Sequence, residues 1–171
     1  RFPLQSRATL SITGMVPRPE TKPSMPELLF ETPDNPIPDG AIAGMLAMPD
    51  GKRLRYARFP ATGRPLQGTV VLIPGRNEFI EKYFETIEDL SVRGFATATF
   101  DLRGQGGSDR LLRDPSRGHI EDFAAYADDL GPFFEQIVLP DCRGPYYILA
   151  HSTGALVAIL ATPHLFNRVE R

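Results

Sequence analysis

The sequence contains little cysteine and no excess of charge of either sign. Cys142 is the one cysteine among 171 residues, which excludes an internal disulfide framework and a metal cluster built on cysteines. Lysine and arginine number 19 and aspartate and glutamate number 21, so charge alone favours neither nucleic acid nor an anionic membrane surface as a partner. A run of about 18 apolar residues, which a membrane-spanning helix would need, is also missing. We therefore expect a soluble protein that binds no nucleic acid.

The composition and the two ends of the sequence suggest part of a globular protein. Hydrophobic residues make up 42% and charged residues 23% of the chain, values close to globular averages that exclude wholesale disorder. The length suits one domain. The first residue is Arg1 rather than methionine, no leader of the secretory kind follows it, and Arg171 comes directly after a helical pattern. We expect a cytoplasmic protein of which this chain is one part.

Proline is concentrated near the amino terminus. Eight of the 17 prolines fall within the first 40 residues. Because proline fixes φ and donates no backbone hydrogen bond, residues 1–39 are predicted to form an extended or partly disordered arm. Residues 40–171 carry the patterns of a folded domain.

Short β-type runs follow the arm. Ala41–Met48 and Arg53–Phe59 flank the turn signal Asp50-Gly51 and predict a β-hairpin. Three later runs predict strands, and the first and last of them are expected to be buried as in a parallel sheet. These runs are Thr69–Ile73, Phe95–Phe100 and Tyr146–Ala150.

A helical pattern follows each of these three strands. Phe79–Arg93 carries an apolar face and precedes Gly94, which occupies the position of a C-cap glycine. The apolar spacing from Ile120 to Ile137 predicts a second amphipathic helix, and Gly154–Ala161 is apolar all round, which predicts a helix buried in the core. Alternating strands and helices predict the α/β class, in which ligands bind beyond the carboxyl ends of the strands.

The loop after the last strand has the pattern of a nucleophile elbow. Ala150-His151-Ser152-Thr153-Gly154 joins a predicted strand directly to a predicted helix, and a tight turn of this kind lifts a serine hydroxyl above the sheet. The residues two before and two after the serine are expected almost to touch, and Ala150 and Gly154 are both small. The alternative is that Ser152 or Thr153 caps the amino end of the helix.

The loop after Ile73 supplies a second part of such a site. Acyl transfer through a serine needs two backbone N–H donors directed at the developing oxyanion. In this architecture one donor belongs to the residue after the nucleophile and the other to the loop after the third strand. These donors would be the N–H groups of Thr153 and Arg76, with Gly75 allowing the loop to turn inward. The alternative is an ordinary strand-to-helix turn.

The loop after Phe100 is rich in glycine but lacks a phosphate-binding pattern. The G-x-G-x-x-G spacing that starts at Gly104 fails, because Asp109 occupies its last position. The G-x-x-x-x-G-K-[ST] and H-E-x-x-H motifs are also missing from the sequence. The loop Asp101–Ser108 is therefore interpreted as a structural loop that packs beside the elbow.

Four motifs occur together in the order typical of one family. They are Pro74-Gly75-Arg76-Asn77-Glu78, Asp101–Ser108, Arg117-Gly118-His119 and Ala150–Gly154. With them the chain from about Pro26 onward resembles the α/β-hydrolases of the bacterial lysophospholipase and monoacylglycerol-lipase group. Pro74 stands where many relatives carry histidine, and Ala150 stands where the elbow usually has its first glycine.

The resemblance implies an α/β-hydrolase fold, with a mostly parallel sheet, an N-terminal β-hairpin and helices on both faces, truncated before the cap and the C-terminal strands. It implies a serine hydrolase that cleaves carboxylic esters, lysophospholipids or monoacylglycerols, through an acyl-enzyme on Ser152 and without a cofactor or metal. The implied partners are a small-molecule lipid ester and, through the absent cap, the inner face of a membrane. The alternatives are a peptidase or acyltransferase of the same fold and a non-catalytic hydrolase-like binding module.

The resemblance also implies a catalytic triad in the order Ser, then Asp or Glu, then His. Only 19 residues follow Ser152, and His164 and Glu170 stand among them in the wrong order. We expect the acid and the histidine to lie beyond Arg171 and this chain alone to be inactive. Tyr146–Ala150 is then expected at an open edge of the sheet.

Other ionisable residues near these loops are interpreted as structural. His119 is expected to brace its loop, His151 to point away from the serine, and Asp101 to match a structural aspartate of the family. Glu78 is a candidate hydrogen-bond partner near the loop that carries Arg76. Four acidic residues of the second helix are predicted to form a solvated face: Glu121, Asp122, Asp128 and Asp129.

Overall fold

A computed structural model of the protein describes residues 28–170. Most of the arm predicted for residues 1–39 lies outside the described residues. Its described part, residues 28–39, forms no helix or long strand, and Thr32 and Asn35 pair in an isolated bridge. Leu29 in this part is buried against the sheet.

Five strands form one mixed sheet. In chain order they are β1 (Ile42–Ala47), β2 (Arg53–Phe59), β3 (Gly68–Ile73), β4 (Phe95–Phe100) and β5 (Tyr146–Ala150). The sheet order is β1-β2-β4-β3-β5, with β4, β3 and β5 parallel and β1 and β2 antiparallel to their neighbours. The predicted hairpin is confirmed, and the strands lie within two residues of their predicted bounds.

Helices cover both faces of this sheet. A 3-10 turn (Ile80–Tyr83) runs into α1 (Phe84–Val92), and α2 (Ala124–Phe133) continues through a π-helical turn (Phe134–Val138) into the short α3 (Leu139–Asp141). The last helix, α4 (Thr153–Leu165), follows β5.

Two apolar clusters follow from the alternation of side chains along β3. Val71 and Ile73 face a cluster that includes Leu130 of α2 and Val157 of α4. Leu72 points to the opposite face and packs in a cluster with Phe84 of α1. The predicted α/β architecture is therefore confirmed.

The helix α2 begins later than the apolar spacing predicted. Ile120 and Phe123 precede it, although both pack against the same core. Asp122 Oδ1 accepts a hydrogen bond from the N–H of Ala124 at 2.9 Å, which satisfies a free donor of the first helical turn. This bond lies just before the helix, whose N-cap residue is Phe123.

The prediction of full burial for β5 and for the helix after it is wrong within the described part of the chain. β5 pairs only with β3 there and lies at an edge of the sheet, as expected for an incomplete domain. Val157, Ala161 and Leu165 are buried. Four other apolar side chains of β5 and α4 are between 43% and 67% exposed: Leu149, Leu156, Ile159 and Leu160. In residues 28–170 we find no helix with the length and apolarity needed to cross a membrane.

Candidate active site

The ends of β3 and β5 lie side by side. Ile73 is the register partner of Ala150, and the N–H of His151 donates to the carbonyl of Ile73 at 3.1 Å. The loop after β3 therefore meets the turn after β5, which is the juxtaposition that a serine and an oxyanion loop require.

Ser152 occupies a strained turn between β5 and α4. Its φ is 51° and its ψ is −117°, a conformation that residues with a side chain rarely adopt. The residue is exposed, and its side chain makes no capping hydrogen bond to the helix that follows. The absence of that bond weighs against the interpretation of Ser152 as a simple helix cap.

Gly154 makes the closest approach in this turn. A Cβ atom added there would lie 2.3 Å from the carbonyl oxygen of Ile73 and 2.6 Å from that of Pro74. The sequence predicted a collision with Ala150 instead. The elbow is thus packed against the end of β3, whose backbone cannot move aside.

The loop Pro74–Glu78 is held by backbone hydrogen bonds to side chains. Gly75 N–H donates to Glu78 Oε2 at 2.6 Å, and Asn77, with a φ of 58°, donates its N–H to Gln105 Oε1. Arg76 between them is exposed. These two bonds fix the backbone on both sides of the Arg76 N–H.

The predicted oxyanion donors lie at one pocket. Arg76 and Thr153 line a pocket of about 260 Å³ together with His119 and Tyr126. Among residues 28–170, the N–H groups of Arg76 and Thr153 donate no hydrogen bond to another group. Both donors therefore remain available to a ligand.

The glycine-rich loop after β4 is hydrogen-bonded to the loop that carries Arg76. Gln105, which accepts from Asn77, also donates to the hydroxyl of Tyr126 at 3.2 Å. Gln105 leaves no signal in the sequence, because its partners lie 28 and 21 residues away and no local pattern indicates them.

Asp101 anchors the same loop from a fully buried position. Its carboxylate accepts hydrogen bonds from Ile80 N–H at 2.9 Å, Gly107 N–H at 2.6 Å and Arg55 Nε at 2.6 Å. Arg55 also binds both carboxylate oxygens of Glu81, at 2.6 and 2.8 Å. Asp101 is therefore placed as a structural group with no access to a substrate.

One of the four acidic residues of the second helical region is not solvated. Asp129 is 1% exposed and forms a two-point ion pair with Arg103, which also binds Asp50. The prediction of a solvated face is wrong for Asp129, because its partner comes from the loop after β4.

His151 and Glu78 form a contact between the two loops. His151 Nδ1 lies 3.1 Å from Glu78 Oε2, and the hydroxyl of Tyr83 donates to the same oxygen. Burial favours a raised pKa for Glu78, but hydrogen bonds from Tyr83, His151, Gly75 and Lys82 outweigh it and lower the pKa to about 2. Burial and the Glu78 carboxylate raise the pKa of Tyr83. Glu78 is therefore an ionised acceptor at neutral pH.

Neither His119 nor His151 forms a hydrogen bond with the side chain of Ser152 in the described part of the chain. His119 is exposed at the small pocket, and His151 hydrogen-bonds to Glu78 rather than to Ser152. Across the part of the chain that the structure describes, no group of three or more His, Cys, Asp or Glu side chains is placed to hold a metal ion.

A mixed sheet whose parallel strands β4, β3 and β5 carry a strained serine turn at their carboxyl edge is typical of the α/β-hydrolase class. The family model Hydrolase_4, described as serine aminopeptidase, S33, matches residues 64–169, and the chain belongs to this family. The solved structure of a soluble variant of monoglyceride lipase from Saccharomyces cerevisiae has the same fold. Its TM-score is 0.62 at 24% identity, over 75% of this chain and 41% of that one.

Curated relatives are similar over the same region. Lysophospholipase L2 of Escherichia coli (strain K12) is 44% identical over 107 residues, which are 63% of this chain and 31% of that protein. Monoglyceride lipase of Saccharomyces cerevisiae is 28% identical over 117 residues, 64% of this chain and 35% of that protein. The matched part of the chain thus spans about a third of the length of these relatives.

Proposed function

We propose that this chain forms the nucleophile and oxyanion part of a serine hydrolase that cleaves carboxylic esters. The observation that carries the proposal is the strained, exposed and uncapped Ser152 in a turn that meets the loop after β3. Strain of this kind persists at functional sites because the surrounding structure enforces it. The relatives named lysophospholipase L2 and monoglyceride lipase support lysophospholipids or monoacylglycerols as substrates.

The mechanism follows from the positions of the donors. Ser152 Oγ attacks the ester carbonyl after its proton passes to a histidine, and the N–H groups of Arg76 and Thr153 hold the oxyanion of the tetrahedral intermediate. Collapse of this intermediate expels the alcohol and leaves the acyl group on Ser152, and water then releases the acid. We assign the histidine and the acid of the triad to sequence outside this chain, since the matched residues cover only about a third of the relatives' length. No metal or cofactor takes part.

The test is active-site labelling of the intact protein that carries this chain. A fluorophosphonate probe is expected to label Ser152, and Ser152→Ala is expected to lose labelling and ester hydrolysis. Ser116→Ala is the matched control, because Ser116 is exposed and bonded only within its own loop. Labelling that survives in Ser152→Ala contradicts the assignment.

A substrate panel separates the remaining alternatives. The description serine aminopeptidase, carried by the family model, favours a peptidase as the second candidate. Hydrolysis of lysophospholipid or monoacylglycerol without hydrolysis of aminoacyl amides supports the lipase proposal, and the reverse supports the peptidase. A binding module predicts no turnover with either substrate.

A further inference from the structure

The carboxylate of Glu78 lies where the elbow, the oxyanion loop and the first helical turn meet. Its Oε2 atom accepts from the N–H of Gly75 at 2.6 Å, from the hydroxyl of Tyr83 and from His151 Nδ1 at 3.1 Å. Its Oε1 atom lies 3.2 Å from Lys82 Nζ. The side chain of Glu78 is only 13% exposed, whereas those of its partners His151 and Lys82 are 65% and 46% exposed.

The contact leaves no room for a side chain at position 75. A Cβ atom added to Gly75 would lie 2.7 Å from Glu78 Oε2 and 3.2 Å from His151 Nδ1. Because an ionised carboxylate can only accept, His151 must carry its proton on Nδ1 in this contact. The residue next to the serine and the residue next to Arg76 are therefore bound to the same oxygen atom.

We propose that Glu78 is a positioning residue, which sets the distance between the two N–H donors of the oxyanion site. His151 precedes Ser152 and Thr153 on one loop, and Gly75 precedes Arg76 on the other. The shared Oε2 atom joins these loops, and Tyr83 fixes the carboxylate to the start of α1. Loss of this atom lets the Arg76 N–H move relative to the Thr153 N–H. The inference rests on the proposed function of these donors.

The decisive variant is Glu78→Gln in the intact protein. Its amide oxygen can face the donors of Gly75, Tyr83 and His151 only if its NH2 group faces the ammonium group of Lys82, and a neutral amide oxygen accepts more weakly than a carboxylate. In the other orientation the NH2 group faces the three donors. Since small misplacements of catalytic groups are costly, we expect kcat to fall by about 10- to 100-fold with KM within about twofold of wild type. Glu88→Gln, an exposed position on α1, is the matched control and should retain wild-type kcat.

A thionoester substrate distinguishes positioning from a merely structural role. Sulfur accepts hydrogen bonds poorly, so an intact oxyanion site prefers the oxygen ester, and a displaced donor reduces this preference. We expect the ester-to-thionoester rate ratio to fall in Glu78→Gln. If Glu78→Gln does not fold, Tyr83→Phe removes one donor from the same carboxylate and is expected to lower the same ratio.

The outcomes separate this inference from the proposed function. Fluorophosphonate labelling of wild-type Ser152 with unchanged kcat and unchanged rate ratio in Glu78→Gln overturns the positioning role alone. A fall in kcat with an unchanged ester-to-thionoester rate ratio in Glu78→Gln also overturns the positioning role. If Glu78→Gln does not fold and Tyr83→Phe is measured instead, an unchanged rate ratio in Tyr83→Phe overturns it as well. Failure of wild type to label at Ser152 overturns the proposed function and the positioning role together.

Discussion

At the scale of single residues, Ser152 combines a strained backbone with a side chain that contributes little to folding. Its φ of 51° is imposed by β5 and α4, and its hydroxyl caps nothing. We expect Ser152→Ala to abolish ester hydrolysis while the free energy of unfolding stays within about 0.5 kcal/mol of wild type. Urea denaturation of both proteins measures this. A loss of about 1 kcal/mol or more would instead support the helix-cap interpretation.

Gly154 is expected to tolerate no side chain. Because its Cβ would lie 2.3 Å from a backbone oxygen of β3, we expect Gly154→Ala to lower the free energy of unfolding by about 3 kcal/mol, and Gly154→Val by more. Gly131→Ala is the matched control, since nothing lies within 4 Å of a Cβ at that position in α2. Replacing glycine there should stabilise the helix by about 0.5–1 kcal/mol. Equal effects in the two variants would contradict the packing argument.

Glu78 makes stability depend on pH in the acid range. Its pKa falls from 4.5 to about 2 on folding, so the folded state favours the carboxylate. A group with a lowered pKa contributes its full stabilisation above pH 4.5 and loses it as the pH falls toward 2. Urea titrations across this range should show a steeper loss of stability in wild type than in Glu78→Gln. Parallel pH profiles would contradict the contact with His151 and Tyr83.

The sequence predicted roles for Ser152, Arg76 and Thr153 because each belongs to a local motif next to a strand end. Contacts between distant loops left no such signal. His151 and Glu78 are 73 residues apart, and only the pairing of β3 with β5 brings them together.

At the scale of secondary-structure elements, local patterns predicted the strands more accurately than they predicted burial. The Asp50-Gly51 turn and the β-branched runs depend on neighbouring residues, and their strands formed as expected. The apolar patterns of β5 and α4 indicated burial, but nothing in the described residues covers Leu149 or Ile159. A hydrophobic pattern predicts that a surface is buried, but it does not show which segment of the protein buries it.

A buried charge cluster ties the hairpin to the loop after β4. Arg55 is 4% exposed and pairs with the buried carboxylates of Asp101 and Glu81. We expect Arg55→Met to cost about 3–5 kcal/mol, because it leaves two buried acids without a cation. Arg53→Met removes an ion pair to Asp109 whose side chains are 60% and 28% exposed, and should cost less than about 1 kcal/mol. Chemical denaturation of both variants measures the difference, and similar costs would contradict a stabilising role for the cluster.

At the scale of the whole molecule, both the candidate active site and the exposed apolar surface are incomplete within the described residues. Neither His119 nor His151 hydrogen-bonds to the Ser152 side chain, and within the described residues β5 lies at an edge of the sheet and α4 carries exposed apolar side chains. The matched residues cover only about a third of the relatives' length, so the relatives have further sequence that could supply both a base and cover for this surface.

These 171 residues alone are therefore expected to show no ester turnover and to self-associate. Removal of one triad member typically costs several powers of ten in rate, and open strand edges and apolar patches pair with other chains. Sedimentation at increasing concentration should show association, which Ile159→Lys should reduce because Ile159 is 67% exposed on α4. Lys82→Arg retains the charge at an exposed site away from this surface and serves as the control. Ester hydrolysis by the purified 171 residues that disappears in Ser152→Ala would contradict the expectation, and His119, His151 and His164 would then be tested as the base.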